Sequence, residues 1–100
     1  MSLTVNKSDD GKMITVKLPN EFDFRAHKDF RDAHKDIDSN IQFVLDFSST
    51  EHMDSSALGM LLLMREELGN DTANVKFINC RQNIKSLLDM ASFNKLFDVV

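Results

Sequence analysis

The sequence predicts a small α/β domain with a mixed, mostly parallel β-sheet, and three observations predict it. Strand-like and helix-like segments alternate along most of the chain, in the order β-β-α-β-α-β-α-β, and such alternation calls for crossover helices between parallel strands. The strong hairpin signal, Asp9-Asp10-Gly11, lies near the start and makes the first strand pair antiparallel. The length of 100 residues allows one core, so residues 1–100 are expected to form a single domain.

The elements come in this order. Val5 to Lys7 is a weak first strand. After the turn, Met13, Ile14, Val16 and Leu18 form the second, stopped by Pro19 and Asn20. Asp23 is a helix N-cap, because its carboxylate can accept backbone N–H groups of the first turn. Ala26, Phe30, Ala33 and Ile37 then recur at helical spacing, with Arg25, Lys28, Arg31 and Lys35 on a solvated basic face. Ile41 to Phe47 is short, apolar and aromatic-rich, and reads as a buried central strand. A second helix runs from about Ser55 to Leu68 and stops at Gly69-Asn70. Val75 to Cys80 is a further strand. Ile84, Leu87, Leu88 and Ala91 fit the helix template without a miss, and Leu96 to Val100 closes the chain as a short strand.

Composition excludes several classes. Hydrophobic residues are 42% and charged residues 28%, which is ordinary for a folded domain. The net charge of −4 argues against nucleic acid, whose phosphates need a basic face. No apolar run approaches a membrane span. The opening residues lack a charged-then-apolar leader, and Cys80 has no partner for a disulfide, so a reducing, cytoplasmic location is expected. There is no Gly-rich phosphate loop, and no cofactor or metal is expected.

The chemistry concentrates in Met53-Asp54-Ser55-Ser56, a turn between a strand and a Leu/Met-rich helix. A helix start carries unpartnered N–H groups and a partial positive charge, and favours anions. A serine there can take a phosphate, roughly −1.5 to −2 in charge, without unfolding the chain. Asp, Ser and Ser are equally what any helix prefers as caps.

The phrase MDSSALGMLL resembles the central motif of the STAS domain, and in particular of the free-standing anti-sigma factor antagonists, where an Asp-Ser-Ser/Thr-Gly-Leu-Gly step opens the second helix. Pro19 to Ala26, the strand and turn DFSSTEHMDSS, and Asn83 to Val99 extend the resemblance over nearly the whole chain. It implies a STAS-like fold and a non-enzymatic protein–protein switch. By position, Ser55 would be the phospho-acceptor, Asp54 the aspartate preceding it, Asp23 an acidic position near the acceptor, and Ser56 a hydroxyl that steadies the turn. The implied partner is an anti-sigma factor that is also a serine kinase of the histidine-kinase-like ATPase type. A separate serine phosphatase would reset the switch. Ala57 and Ser92 depart from the family, each standing where glycine is common. Ala57 adds a methyl beside the acceptor and is expected to narrow kinase access.

Other readings carry less. A hydrolase elbow lacks Gly-x-Ser-x-Gly and a histidine after the serine, since His27, His34 and His52 all precede Ser55. A receiver domain needs an acidic pair after the first strand, whereas Asp9-Asp10 lies in a turn. His27 and His34 are read as surface histidines, and Cys80 as a core or rim thiol. The second helix is apolar on more than one face, so one or two of Met60, Leu63 and Met64 are expected to form an exposed patch beside Ser55. The partner-facing set is thus Asp23, Asp54, Ser55, Ser56, Ala57 and Met60, on a monomer or weak dimer. The alternative is a STAS scaffold subunit in a signalling or transporter-associated assembly.

Overall fold

The Asp9-Asp10-Gly11 turn closes a hairpin through its own side chains. Ser8 Oγ donates to Asp10 Oδ1 at 2.6 Å, and Lys12 N donates to the same oxygen at 3.0 Å. Gly11 takes φ +71°, a conformation that favours glycine. The flanking strands β1 (Thr4–Lys7) and β2 (Met13–Lys17) pair antiparallel. This computed structural model describes residues 3–38 and 40–100.

Every other strand runs parallel. The main sheet has the order β1-β2-β4-β6-β7, where β4 is Gln42–Asp46, β6 Val75–Ile78 and β7 Asp98–Val99. The expected central strand is therefore β4, flanked on both sides. Three crossovers supply helices: α1 (His27–His34) between β2 and β4, α2 (Ser55–Glu67) between β4 and β6, and α3 (Gln82–Met90) between β6 and β7. The first helix is shorter than its periodicity suggests. Asp23 caps a 3-10 turn, Phe24–Ala26, and the α-helix proper, α1, is His27–His34. Ile37 lies beyond its end, half-buried against the core.

The register places Ile14, Phe43 and Val75 in one row and Val16, Leu45 and Phe77 in the next. All six are buried on one face, and the helices pack Phe30, Leu61, Met64, Ile84 and Leu88 into the same cluster. The opposite face carries Thr15, Val44, Lys76 and Asp98 in register. It is more polar, and Val44 is buried there between its neighbours.

Two short strands add to the expected order. β3 (Glu21–Phe22) and β5 (His52–Met53) form a parallel ladder of their own, Glu21 opposite His52 and Phe22 opposite Met53. Pro19 cannot donate to a ladder, so the chain leaves the main sheet after β2. The carbonyl of Asn20 then accepts from the backbone N–H of Glu51 and His52, at 2.9 and 3.1 Å. Buried Thr50 donates to the carbonyl of Pro19 at 2.9 Å. These bonds tie the loop after β2 to the loop after β4 and fix where the two helical starts beyond them lie.

Candidate functional site

The β3–β5 ladder delivers two aspartates, Asp23 and Asp54, to the next position on adjacent strands. Each is extended, and each caps a helical start with its carboxylate. Together with Glu21, Phe22, His52 and Met53 they line a shallow recess. The structure thus brings Asp23 beside the Asp54–Ser55 turn, 31 residues away along the chain. Two repeated steps, Phe22-Asp23 and Met53-Asp54, occur in the sequence, and the strand pairing makes them neighbours as the family resemblance implies.

Asp54 Oδ1 accepts from Ala57 N at 3.1 Å and from Ser56 Oγ at 2.6 Å. The Ser56 hydroxyl, then the Ala57 amide, hold the Asp54 carboxyl below its ordinary value against the nearby charge of Asp23. Asp23 is likewise depressed, chiefly by Arg25, whose Nη2 donates to Oδ2 at 2.7 Å. Both carboxylates are therefore charged at neutral pH. The two hydroxyls have different positions. Ser56 is committed to the turn, whereas Ser55 is exposed and has no side-chain hydrogen bond among the described residues.

The exposed residues of α2 include Ser55, Gly59, Leu62 and Leu63. At about 100° per residue, Ser55, Gly59 and Leu62 share one stripe, with Leu62 roughly 10 Å along the axis from Ser55. Leu62 is 43% exposed and Leu63 57%. Nothing lies within 4 Å of where a Cβ on Gly59 would stand. Of the three residues expected beside Ser55, Met60 and Met64 are buried, and Leu63 is exposed but turned toward α1; the exposed apolar residue on the Ser55 stripe is Leu62, which was not among them.

Two expected partner-facing residues look inward. Met60 is 5% exposed and Ala57 0%, because both lie on the side of α2 that meets the core. The Ala57 methyl therefore does not stand over Ser55, and the expected narrowing of access there has no steric basis. His34 also corrects the surface reading, being buried against Phe30 and Phe43. His27 is half-buried and stacks on exposed Phe24 at 5.1 Å. Burial pushes the Cys80 thiol up to about 11, which leaves it protonated and unreactive at neutral pH. No cluster of three or more metal-ligating residues occurs among the described residues, and no described helix is long and apolar enough to cross a membrane.

The model of the STAS domain family matches residues 4–100. The chain belongs to the STAS domain family. It is 37% identical over 100 residues to a STAS-domain containing protein of Pseudomonas aeruginosa (strain UCBPP-PA14), covering 99% of each chain. Its fold is that of an anti-sigma factor antagonist from Mycobacterium paratuberculosis, with a TM-score of 0.76 at 20% identity, over 98% of this chain and 85% of that one. The anti-sigma factor antagonist SpoIIAA in its unphosphorylated form superposes with a TM-score of 0.71 at 16% identity, over 99% of this STAS domain and 87% of SpoIIAA. The phosphorylated form of SpoIIAA gives 0.68 at 13% identity, over 99% and 91%. At these identities the likeness is one of fold, a small α/β domain with a mixed sheet and three helices.

Proposed function

We propose that this STAS domain is an anti-sigma factor antagonist, a phosphorylation-controlled switch that binds an anti-sigma factor/serine kinase when Ser55 is unmodified. The observation that carries the reading is the contrast at the start of α2. Ser56 is bound to the cap, while Ser55 is exposed and unengaged at the head of a stripe that continues through Gly59 to Leu62.

Gly59 supports it. A glycine inside a helix costs about 0.5–1 kcal/mol relative to alanine. It is exposed, has open space over it and is not among the positive-φ glycines. No contact among the described residues calls for it, so a close approach from outside is its reason. A partner backbone laid across Gly59 would cover Ser55 on one side and Leu62 on the other.

Phosphate on Ser55 would join Asp54 and Asp23, both already charged. The helix start is already capped by Asp54, so the added charge would find less internal compensation than at a bare helix end. In the free protein, water solvates it. Under a partner it would be desolvated, at on the order of 3–5 kcal/mol when left unpaired, or roughly a hundred- to several-thousand-fold in affinity. Binding is lost and the fold is kept. ATP is bound by the partner, of the histidine-kinase-like ATPase type, and a serine phosphatase restores the unmodified form. This STAS domain performs no catalysis in that cycle.

The test is capture from native lysate by wild type, Ser55→Ala and Ser55→Asp, followed by mass spectrometry. A kinase-like ATPase should be retained by the first two and lost with Ser55→Asp. Incubation of that ATPase with ATP should place phosphate on Ser55 and none on Ser56. Equal recovery with all three folded proteins would sink the reading.

A further inference from the structure

Phe24 stands apart from the other aromatic residues. The chain has eight phenylalanines, and the other seven are no more than 6% exposed. Phe24 is 65% exposed, so it forgoes most of what burial of a phenyl ring would contribute. Its cover within the fold is the ring of His27, stacked on it with centroids 5.1 Å and planes 16° apart.

Its position is the counterpart of Ser55. The steps Asp23-Phe24-Arg25-Ala26 and Asp54-Ser55-Ser56-Ala57 are built alike. Each begins with an extended aspartate that caps a helical start, and each ends in a buried alanine. The residue after each aspartate is the first of its helical start, and it is exposed. Both steps follow the paired residues Phe22 and Met53, on strands that lie about 4.8 Å apart in such a ladder. Phe24 and Ser55 thus stand at the same level on adjacent helical starts, and a protein that closes over Ser55 meets Phe24.

The surroundings set the chemistry of what fits there. Glu21, Asp23 and Asp54 line the recess between the two steps. Arg25 is bound to Asp23 at 2.7 Å and faces Glu21 at 3.7 Å. Acidic groups outnumber this guanidinium, so the complement is an apolar pocket with a basic rim. A second copy of the chain would bring the same acidic surface against its like, which opposes association. Aromatic side chains seated in a partner's pocket are common among the few residues that dominate an interface.

We infer that Phe24 anchors the partner proposed for Ser55, its ring entering an apolar, basic-rimmed pocket of that ATPase. The inference rests on the phosphoswitch reading and adds to it the residue that supplies affinity, where Ser55 supplies control.

The probe is the ATPase retained by the wild type and lost with Ser55→Asp, purified and titrated by calorimetry. Phe24→Ala should weaken binding about thirtyfold or more, the scale of an interface hot spot, with a urea midpoint close to that of the wild type. Phe24→Leu, still apolar, should recover part of the loss. Val5→Ala, at an exposed position on the edge strand β1, should bind as the wild type does. Raising salt from about 50 to about 500 mM should weaken wild-type binding severalfold, and indifference to salt would overturn the basic rim. Unchanged affinity in folded Phe24→Ala, with Ser55→Asp still excluded, overturns the inference and leaves the switch standing. Self-association of the wild type that Phe24→Ala abolishes overturns it too, by assigning the ring to a second copy. If no ATPase is lost with Ser55→Asp, the switch falls and this inference with it.

Discussion

A single oxygen of Asp54 organises the start of α2. Its Oδ1 takes both the Ala57 amide and the Ser56 hydroxyl, so one substitution removes both bonds. Asp54→Ala should lower stability by about 1 kcal/mol, within the 0.5–2 kcal/mol seen when helix caps are removed. Urea denaturation measures this, and Ser56→Ala, which keeps the carboxylate, should cost less. At the other end of the chain, Ser92 sits at φ +62° between α3 and the Phe93–Lys95 turn. This is why glycine suits the position. A left-handed residue costs roughly 1–2 kcal/mol when it carries a Cβ. Glycine's greater freedom in the unfolded chain offsets part of the relief, so Ser92→Gly should stabilise by on the order of 0.5 kcal/mol. A thermal midpoint that falls in Ser92→Gly would contradict the strain argument.

At the scale of elements, α2 meets two requirements. Ala57, Leu61 and Met64 are fully buried, while Ser55, Gly59 and Leu62 face solvent. Gly59→Ala separates the two. It should raise stability by about 0.5–1 kcal/mol, because alanine is the better helix former and meets no neighbour. The same variant should bind the proposed kinase partner less well, since the added methyl stands in the proposed contact. A more stable protein with unchanged partner affinity would remove Gly59 from the interface. The recess at the helix starts belongs to this scale too. Asp23 and Asp54 are both legible as caps from their own sequence surroundings. Their proximity is legible only through family resemblance, because two-residue strands carry too little hydrophobic pattern to be read.

For the whole molecule, α1 and α2 run side by side in the same direction. Their starts meet at the Asp23–Asp54 recess, and their ends meet where His34 approaches Glu67. This arrangement predicts a two-step loss of stability in acid. His34 is held neutral in the fold, below its ordinary value of 6.5, mainly by burial. The unfolded chain therefore takes up the proton first, and stability is full above about pH 6.5 and declines as pH falls below it. Asp23 and Asp54 are depressed below 3.8 in the fold by their hydrogen bonds. Their contribution is present above the ordinary carboxylate range and is lost as pH falls through their native values. Urea midpoints from about pH 8 down to about pH 5 should fall in the wild type and stay level in His34→Phe, and continuing the series below about pH 4 should show the carboxylate step in both.

The hairpin, the central strand, the order of the three helices and the serine at the head of α2 are all written in the sequence alone. Local chemistry decides each of these: a turn glycine, an apolar run, a periodicity, a capping carboxylate. Which apolar side chains of α2 are committed to the core is decided by tertiary packing. Leu62 and Leu63 are as hydrophobic as Leu61, and Met60 has no local mark that sends it inward. Burial depends on what packs above a residue, and α1 and the sheet cover Met60, Leu61 and Met64 but not Leu62 or Leu63. The same holds for His34, a surface residue by its sequence neighbours, which is buried because Phe43 from β4 and Glu67 from α2 close over it.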